Sequence, residues 1–154
     1  MFKTEREMQN KFVKVLKQIK TCGNIFEEVG NADRHCRIDV IEYKKNQITA
    51  YELKLTDYKK VFDQAWKLRA NNLINKVYVV LPRNFYENNK ETILRYKERY
   101  YRHIGLLTFD GEKIVRIKPS VQYIFANINE SNIVRDLIIR GFYKDGINCR
   151  KSYK

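Results

Sequence analysis

The chain has 154 residues, enough for one ordinary domain with its own hydrophobic core. It has no run of about 18 apolar residues and it begins with a charged segment, so we expect no membrane span, no signal peptide and a cytoplasmic location. The three cysteines are odd in number and lack C-x-x-C spacing, which favours reduced thiols over a disulfide framework or a zinc site.

The charge is strongly unbalanced, with a formal net value of +13 and a pI near 9.7. Such an excess indicates a polyanionic partner, of which nucleic acid is the commonest. A genome rich in A and T would also raise the content of Lys, Asn, Ile and Tyr, but it would not explain the plentiful arginine. We expect a nucleic-acid partner, and codon bias remains the alternative.

The first predicted element is a helix that begins after Thr4, which is placed to cap it with Glu7 three residues later. Apolar residues then recur at helical spacing: Met8, Phe12, Val15, Leu16 and Ile19. At about 100° per residue, Glu5 falls near the centre of this apolar face and Glu7 falls well off it. A carboxylate at the end of a buried face is unusual, although Glu5 would also simply favour the helix N-terminus.

Three strands follow. Residues 24–29 form the first, and residues 37–41 and 48–54 form a hairpin joined by a polar turn at 44–47. Because side chains alternate along a strand, Glu52 and Lys54 share a face, and Asp39 on the neighbouring strand lies close to them. Two adjacent carboxylates repel each other unless a cation joins them, and Mg²⁺ is typically held by one or two carboxylates plus phosphate.

A second E-x-K tripeptide, Glu42-Tyr43-Lys44, competes with Glu52-Leu53-Lys54. Glu42 lies three residues from Asp39, so we expect it on the opposite face near the exit of its strand. Glu52 is flanked by apolar residues, as a buried central strand requires. We therefore interpret Glu42 as a decoy and Asp39, Glu52 and Lys54 as the site, with a surface ion pair of little energetic value as the alternative.

The second half of the core alternates helices and strands. A helix runs from about Asp57 to Leu73, a buried strand covers 76–81, and a third helix covers 88–102. The second helix is expected to bury Val61, Phe62, Ala65, Trp66 and Leu68. The third is expected to expose Lys90, Arg95, Lys97, Arg99 and Arg102. A hairpin of 105–109 and 113–117 turns at Asp110-Gly111.

The core is expected to end at about residue 120, and residues 121–154 form a C-terminal extension of the same domain. This extension is predicted to contain a helix at about 129–140 that ends near Gly141. Lys144, Arg150 and Lys151 follow in a basic tail that, together with Arg37, we expect to touch phosphates, unless the tail is only a solvated end.

Asp39 together with Glu52-Leu53-Lys54 resembles the motif of the PD-(D/E)xK nuclease superfamily, which has the restriction-endonuclease-like fold. Ile38 stands where the motif usually has proline. The resemblance extends from about residue 4 to residue 120. It implies an α/β sandwich with a mixed central sheet, which agrees with the predicted order α-β-β-β-α-β-α-β-β.

The resemblance also implies an activity and roles for named residues. Asp39, Glu52 and the Leu53 carbonyl would bind Mg²⁺, for which Mn²⁺ substitutes, and Lys54 would assist the attacking water. In this family a glutamate of the first helix and a glutamine of the second often reach the site, which points to Glu5 and Gln64. Leu68 occupies the tyrosine position of a Q-x-x-x-Y variant, which argues against the RecB-like exonucleases. Gln64 is equally well explained as an ordinary boundary residue.

The leading hypothesis is therefore a Mg²⁺-dependent endonuclease that hydrolyses phosphodiester bonds in DNA. One alternative is a non-catalytic nucleic-acid-binding module on the same fold, and another is a basic assembly protein that binds no metal. A homodimer would suit the cutting of two strands or of a junction. The small size favours recognition of shape over a long sequence.

Overall fold

The computed structural model describes residues 1–19, 22–30, 37–45, 47–70 and 74–122. Its helices and strands follow in the predicted order, which is confirmed over these ranges. They are α1 (Glu5–Gln18), β1 (Asn24–Gly30), β2 (Arg37–Lys44), β3 (Gln47–Leu53), α2 (Tyr58–Ala70), β4 (Lys76–Pro82), α3 (Arg83–Tyr100), β5 (Gly105–Phe109) and β6 (Ile114–Lys118).

The strands form one mixed sheet in the order β1-β2-β3-β4-β5-β6. Strands β1, β2 and β3 are antiparallel neighbours, β3, β4 and β5 are parallel, and β5 and β6 are antiparallel. The parallel steps are the ones that contain helices, because a parallel connection needs a long crossover. The fold class is therefore α/β with a mixed sheet, as predicted.

Helices cover both faces of this sheet and create two core layers. On one face, α1 contributes Met8 and Phe12, which pack with Val40 and Tyr51. On the other face, α2 and α3 pack against alternate strand residues, among them Ala50, Val77 and Val79. Successive residues of β3 thus enter opposite layers, as the period of two requires.

The predicted helix cap and hairpin turn are both present. Thr4 Oγ1 accepts a hydrogen bond from Glu7 N at 3.0 Å and caps α1, although the Glu7 carboxylate accepts from Lys3 N rather than from Thr4 N and does not complete the predicted capping box. In the β5–β6 turn, Asp110 Oδ1 accepts from the N–H groups of Glu112 and Lys113, and Gly111 has a φ of 100°. A positive φ at this position suits glycine, which has no Cβ to clash.

The prediction for the third helix was wrong at its start. Helix α3 begins at Arg83, directly after Pro82, rather than at Asn88. Asn89 has non-helical angles (φ −129°, ψ 20°), and its side chain donates to the Phe85 carbonyl at 2.9 Å. The helix is therefore kinked there, and the apolar spacing indicated only the segment beyond the kink.

Two predicted exposures were also wrong. Lys97 is only 1% exposed, because its ammonium donates to the Arg102 carbonyl at 3.3 Å and pairs with the Glu98 carboxylate at 3.5 Å. Burial lowers the pKa of Lys97. Trp66 was expected in the core and is 48% exposed, since Phe62, Ala65 and Leu68 leave it at the edge of the buried face of α2.

The chain leaves the core at Val121, whose carbonyl accepts from Arg69 Nη2 at 2.6 Å. The predicted helix at 129–140 and the tail residues Lys144, Arg150 and Lys151 lie outside the described residues. Within the described ranges, none of the helices combines the length and apolar character that a membrane crossing requires.

Candidate active site

The predicted site lies at the carboxyl end of β3, where β2 and β3 stop pairing regularly. Their paired residues run from Lys44 opposite Gln47 to Val40 opposite Tyr51, so Asp39 and Glu52 come next. Leu53 N donates to Asp39 Oδ2 at 2.9 Å, whereas a regular antiparallel ladder would offer this N–H a backbone carbonyl of β2. The Asp39 side chain thus ends the ladder, and this bond fixes its carboxyl group.

Asp39 and Glu52 meet as a pair of carboxyl groups on neighbouring strands. Glu52 is 4% exposed, and its side chain is in hydrogen-bonding contact with Asp39. Burial raises the pKa of Asp39, and the charges of Glu28 and Glu5 act in the same direction. The hydrogen bonds from Glu52 and from the Leu53 N–H oppose this rise. Two negatively charged carboxyl groups in contact repel each other, so a cation between them would be stabilised.

Glu5 and Lys54 close the site from the helix side. Glu5 is the first residue of α1, and its Oε1 accepts from Lys54 Nζ at 3.4 Å. Its Oε2 accepts from Leu55 N, also at 3.4 Å. The start of α1 is thereby joined to the end of β3, and the Lys54 ammonium is held by Glu5, whose charge also acts on Asp39. The prediction that Glu5, rather than Glu7, faces this region agrees with these contacts.

Strand β1 contributes a carboxylate that the sequence reasoning missed. Glu28 lies between residues paired with Val40 and Ile38, and therefore faces Asp39 across the β1–β2 pair. Its φ of 55° is strained for a residue other than glycine, and its Oε1 lies 3.4 Å from Arg6 Nη1. The available signal was Glu27-Glu28 inside a predicted strand, where two successive charges are unusual.

Gln64 and Arg37 were also predicted to belong to the site. Gln64 is half-buried on α2, and its contact with the site stays a prediction. Arg37 is exposed at the start of β2, opposite Gly30. The nucleic-acid contact expected of Arg37 stays a prediction.

Glu42 points away from the site, as its spacing from Asp39 predicts. Its Oε1 accepts from the Tyr51 hydroxyl at 3.0 Å, and its Oε2 accepts from Gly23 N at 2.8 Å. Tyr51 belongs to the core layer beneath α1, on the opposite side of the sheet from Ala50. Glu42 lies inside β2 rather than at its exit, because the strand continues to Lys44.

The donor set at the pair suits a hard divalent cation. Over the described ranges, no group of three or more His, Cys, Asp or Glu side chains is arranged to hold a metal. Mg²⁺ does not require such a group, because it usually keeps several waters and takes one or two carboxylates plus phosphate. The buried pair, with the pKa of Asp39 raised, is a place where a cation would relieve electrostatic strain. The residues present therefore fit the metal that the sequence predicts.

Comparison with known proteins adds information on the fold alone. No family model and no curated protein matches the chain. A solved structure of a protein of unknown function from Silicibacter pomeroyi is similar to it, with a TM-score of 0.57 and 16% sequence identity. The similarity covers 82% of this chain and 78% of the other.

Proposed function

We propose that this protein is a Mg²⁺-dependent nuclease that hydrolyses phosphodiester bonds in DNA. The observation that carries the proposal is the buried contact between the Asp39 and Glu52 carboxyl groups beside the Glu5–Lys54 ion pair. The order of helices and strands agrees with the restriction-endonuclease-like fold, which supports the same assignment. The carboxyl end of a parallel strand is also where ligands commonly bind in α/β sheets.

Asp39 and Glu52 would hold the cation in this proposal, with Leu53 as a third donor. Within a strand, the N–H and the carbonyl of one residue project toward the same neighbour. Since the Leu53 N–H is bound to the Asp39 carboxyl group, we expect the Leu53 carbonyl to project toward the same side. When bound, Mg²⁺ or Mn²⁺ would polarise the scissile phosphate and make water a stronger nucleophile.

Lys54 would act on the attacking water and on the phosphate. Its ammonium is a compact charge that orients a water molecule and offsets negative charge developing on the phosphate. Glu5 would serve as a positioning residue, because its contact at 3.4 Å holds that ammonium at the strand end. Asp39 is itself oriented by the Leu53 N–H, so the proposed metal ligand and the proposed water-positioning lysine are each held by a defined contact.

The substrate assignment depends on the charge. The excess of +13 favours a polyanion, and phosphate contacts would provide most of its affinity. The cleavage screen below compares duplex, branched and single-stranded substrates.

The test is a cleavage screen of labelled linear duplex, branched DNA, single-stranded DNA and RNA. Each substrate is incubated with the full chain in Mg²⁺, Mn²⁺ or EDTA. We expect cleavage of DNA in either metal and none in EDTA. Robust cleavage in EDTA would contradict the mechanism. Tight DNA binding without cleavage of any substrate would instead support a non-catalytic module on this fold.

A further inference from the structure

A cavity of about 420 Å³ opens at the other end of β2 and β3, away from the proposed active site. Neither the Asp39–Glu52 pair nor Lys54 contributes to its lining. Its walls come from the end of α1, the β2–β3 turn and the start of β4. The strand residues that line the cavity lie on the face covered by α1. Those of β3 alternate in step with Tyr51, and that of β4 alternates in step with Tyr78.

The inner wall of this cavity is aromatic. The rings of Tyr51 and Tyr78 stack with centroids 5.8 Å apart and planes at 17°, and both side chains are largely buried. The Tyr51 hydroxyl donates to Glu42, whose other oxygen accepts from Gly23 N. The aromatic wall is therefore fixed in place by a carboxylate that is already satisfied by two uncharged donors.

The rim of the cavity is cationic. Lys44 and Lys45 belong to the β2–β3 turn, and Lys76 opens β4 opposite Thr49. Among the described residues that line the cavity, three lysines and Glu42 give a net charge of +2. In the part of the chain that the structure describes, none of these three lysines forms an ion pair, whereas Lys54 is paired with Glu5. Three ammonium groups around one opening favour an anion between them.

We propose that this cavity binds a small phosphate monoester that carries a planar ring, of the nucleoside monophosphate type. Its volume is in the usual range for small-molecule sites, roughly 300–1,000 Å³. The lysines would hold the phosphate as point charges, and the wall of Tyr51, Tyr78 and Leu16 would contact the ring. A site of this kind would be separate from the proposed nuclease centre and does not depend on it.

The experiment is an isothermal titration of the full chain in EDTA with three probes: adenosine 5′-monophosphate, adenosine and inorganic phosphate. Adenosine 5′-monophosphate should bind at least about tenfold more tightly than either fragment, the scale of one charge-assisted hydrogen bond. If inorganic phosphate binds equally well, the ring contact is wrong and the proposed ligand class is overturned. If none of the probes binds, the site itself is overturned.

Variants locate the bound probe. Lys76→Gln should weaken binding about tenfold, whereas Lys113→Gln removes the same charge from the β5–β6 turn and should change it by less than about twofold. Glu52→Gln should leave the affinity unchanged, because the proposed active site does not line the cavity. Equal losses from Lys76→Gln and Lys113→Gln would show that only net charge matters. A loss from Glu52→Gln would place the probe at the nuclease centre, and either result would overturn the proposal.

Discussion

The two E-x-K tripeptides of this chain lie at opposite ends of the β2–β3 hairpin, and their surroundings differ. Glu42 is satisfied by the Tyr51 hydroxyl and the Gly23 N–H, both uncharged donors. Glu52 instead contacts a second carboxyl group, that of Asp39, in a buried position. The tripeptide therefore does not make a metal site by itself. The partners of the glutamate decide whether it meets hydrogen-bond donors or a second carboxyl group, and only the second arrangement would favour a cation.

The lysines of the two tripeptides differ in the same way. Lys54 is held by Glu5 beside the carboxyl pair, whereas Lys44 lies on the rim of a cationic cavity. One end of the hairpin thus combines acidic groups with a fixed lysine, and the other combines lysines with aromatic rings. We expect metal chemistry at the first end and anion binding at the second.

The largest expected difference is between two single variants, each of which removes the carboxylate at one end of the hairpin. Glu52→Gln should reduce DNA cleavage in Mg²⁺ on the order of a thousandfold, because it removes a proposed metal ligand. Glu42→Gln should retain cleavage and fold normally, because its carboxamide can accept from the Gly23 N–H and donate to the Tyr51 hydroxyl. The comparison is made from initial rates at equal concentrations of folded protein. If only the Glu42 variant lost activity, the active site would lie at the Glu42 end of the hairpin and the proposed assignment would be wrong.

Replacing each of the two lysines by alanine should separate catalysis from DNA binding. Lys54→Ala should reduce the cleavage rate about a hundredfold or more while leaving DNA affinity within about twofold, since one of 31 basic residues is lost. Lys44→Ala is the matched control and should cut at close to the wild-type rate. Rates and affinities are measured on the same labelled DNA. If Lys54→Ala lost affinity and activity in equal measure, its role would be phosphate binding alone.

The raised pKa of Asp39 predicts a pH-dependent change in stability. Its usual pKa is 3.8, and burial raises that value in the folded chain, so ionisation of Asp39 opposes folding. This cost is absent below the usual pKa and grows as the pH rises through the folded pKa. Asp39→Asn keeps an acceptor for the Leu53 N–H and loses the charge. Without metal, it should melt about 2–5 °C above wild type at pH 8, with the difference vanishing near pH 4.

A lower melting temperature of Asp39→Asn at pH 8 would show that the charge is already compensated within the chain. Glu42→Gln again serves as the control, because it should show no stabilisation at any pH.

The smallest effect concerns the general affinity for nucleic acid. Log affinity for duplex DNA should fall linearly with log salt, at a slope near 0.9 per neutralised phosphate. Deleting the chain after Gly141 removes Lys144, Arg150, Lys151 and Lys154 against one Asp145, and should make the slope shallower if the tail contacts phosphates. If the affinity did not depend on salt, codon bias alone would explain the high net charge.

Much of this picture could be predicted because it depends on short-range patterns. The pairing of β2 with β3 brought Asp39 next to the end of β3, as the length of the turn predicted, and Leu53 N donates to its carboxyl group there. The position of Glu5 followed from helical spacing. By contrast, the proximity of Glu28 to Asp39 depends on the register of β1, which no local signal specifies.

The other features that the sequence did not predict also depend on tertiary contacts. The burial of Lys97 depends on the Arg102 carbonyl that receives its ammonium, and residue type alone indicated exposure. The kink at Asn89 depends on a side-chain contact with Phe85. The cationic cavity could not be foreseen, because it requires the end of α1, the β2–β3 turn and the start of β4 to meet.

The central claim is that the Asp39–Glu52 pair binds a divalent cation and the Glu42 end of the hairpin does not. It is tested most directly by calorimetric titration of Mn²⁺ into the wild type, Glu52→Gln and Glu42→Gln at pH 8. We predict weak binding by the wild type and by Glu42→Gln, and none by Glu52→Gln, because two carboxylates leave most of the coordination shell to water. Equal Mn²⁺ binding by the wild type and Glu52→Gln would contradict the assignment.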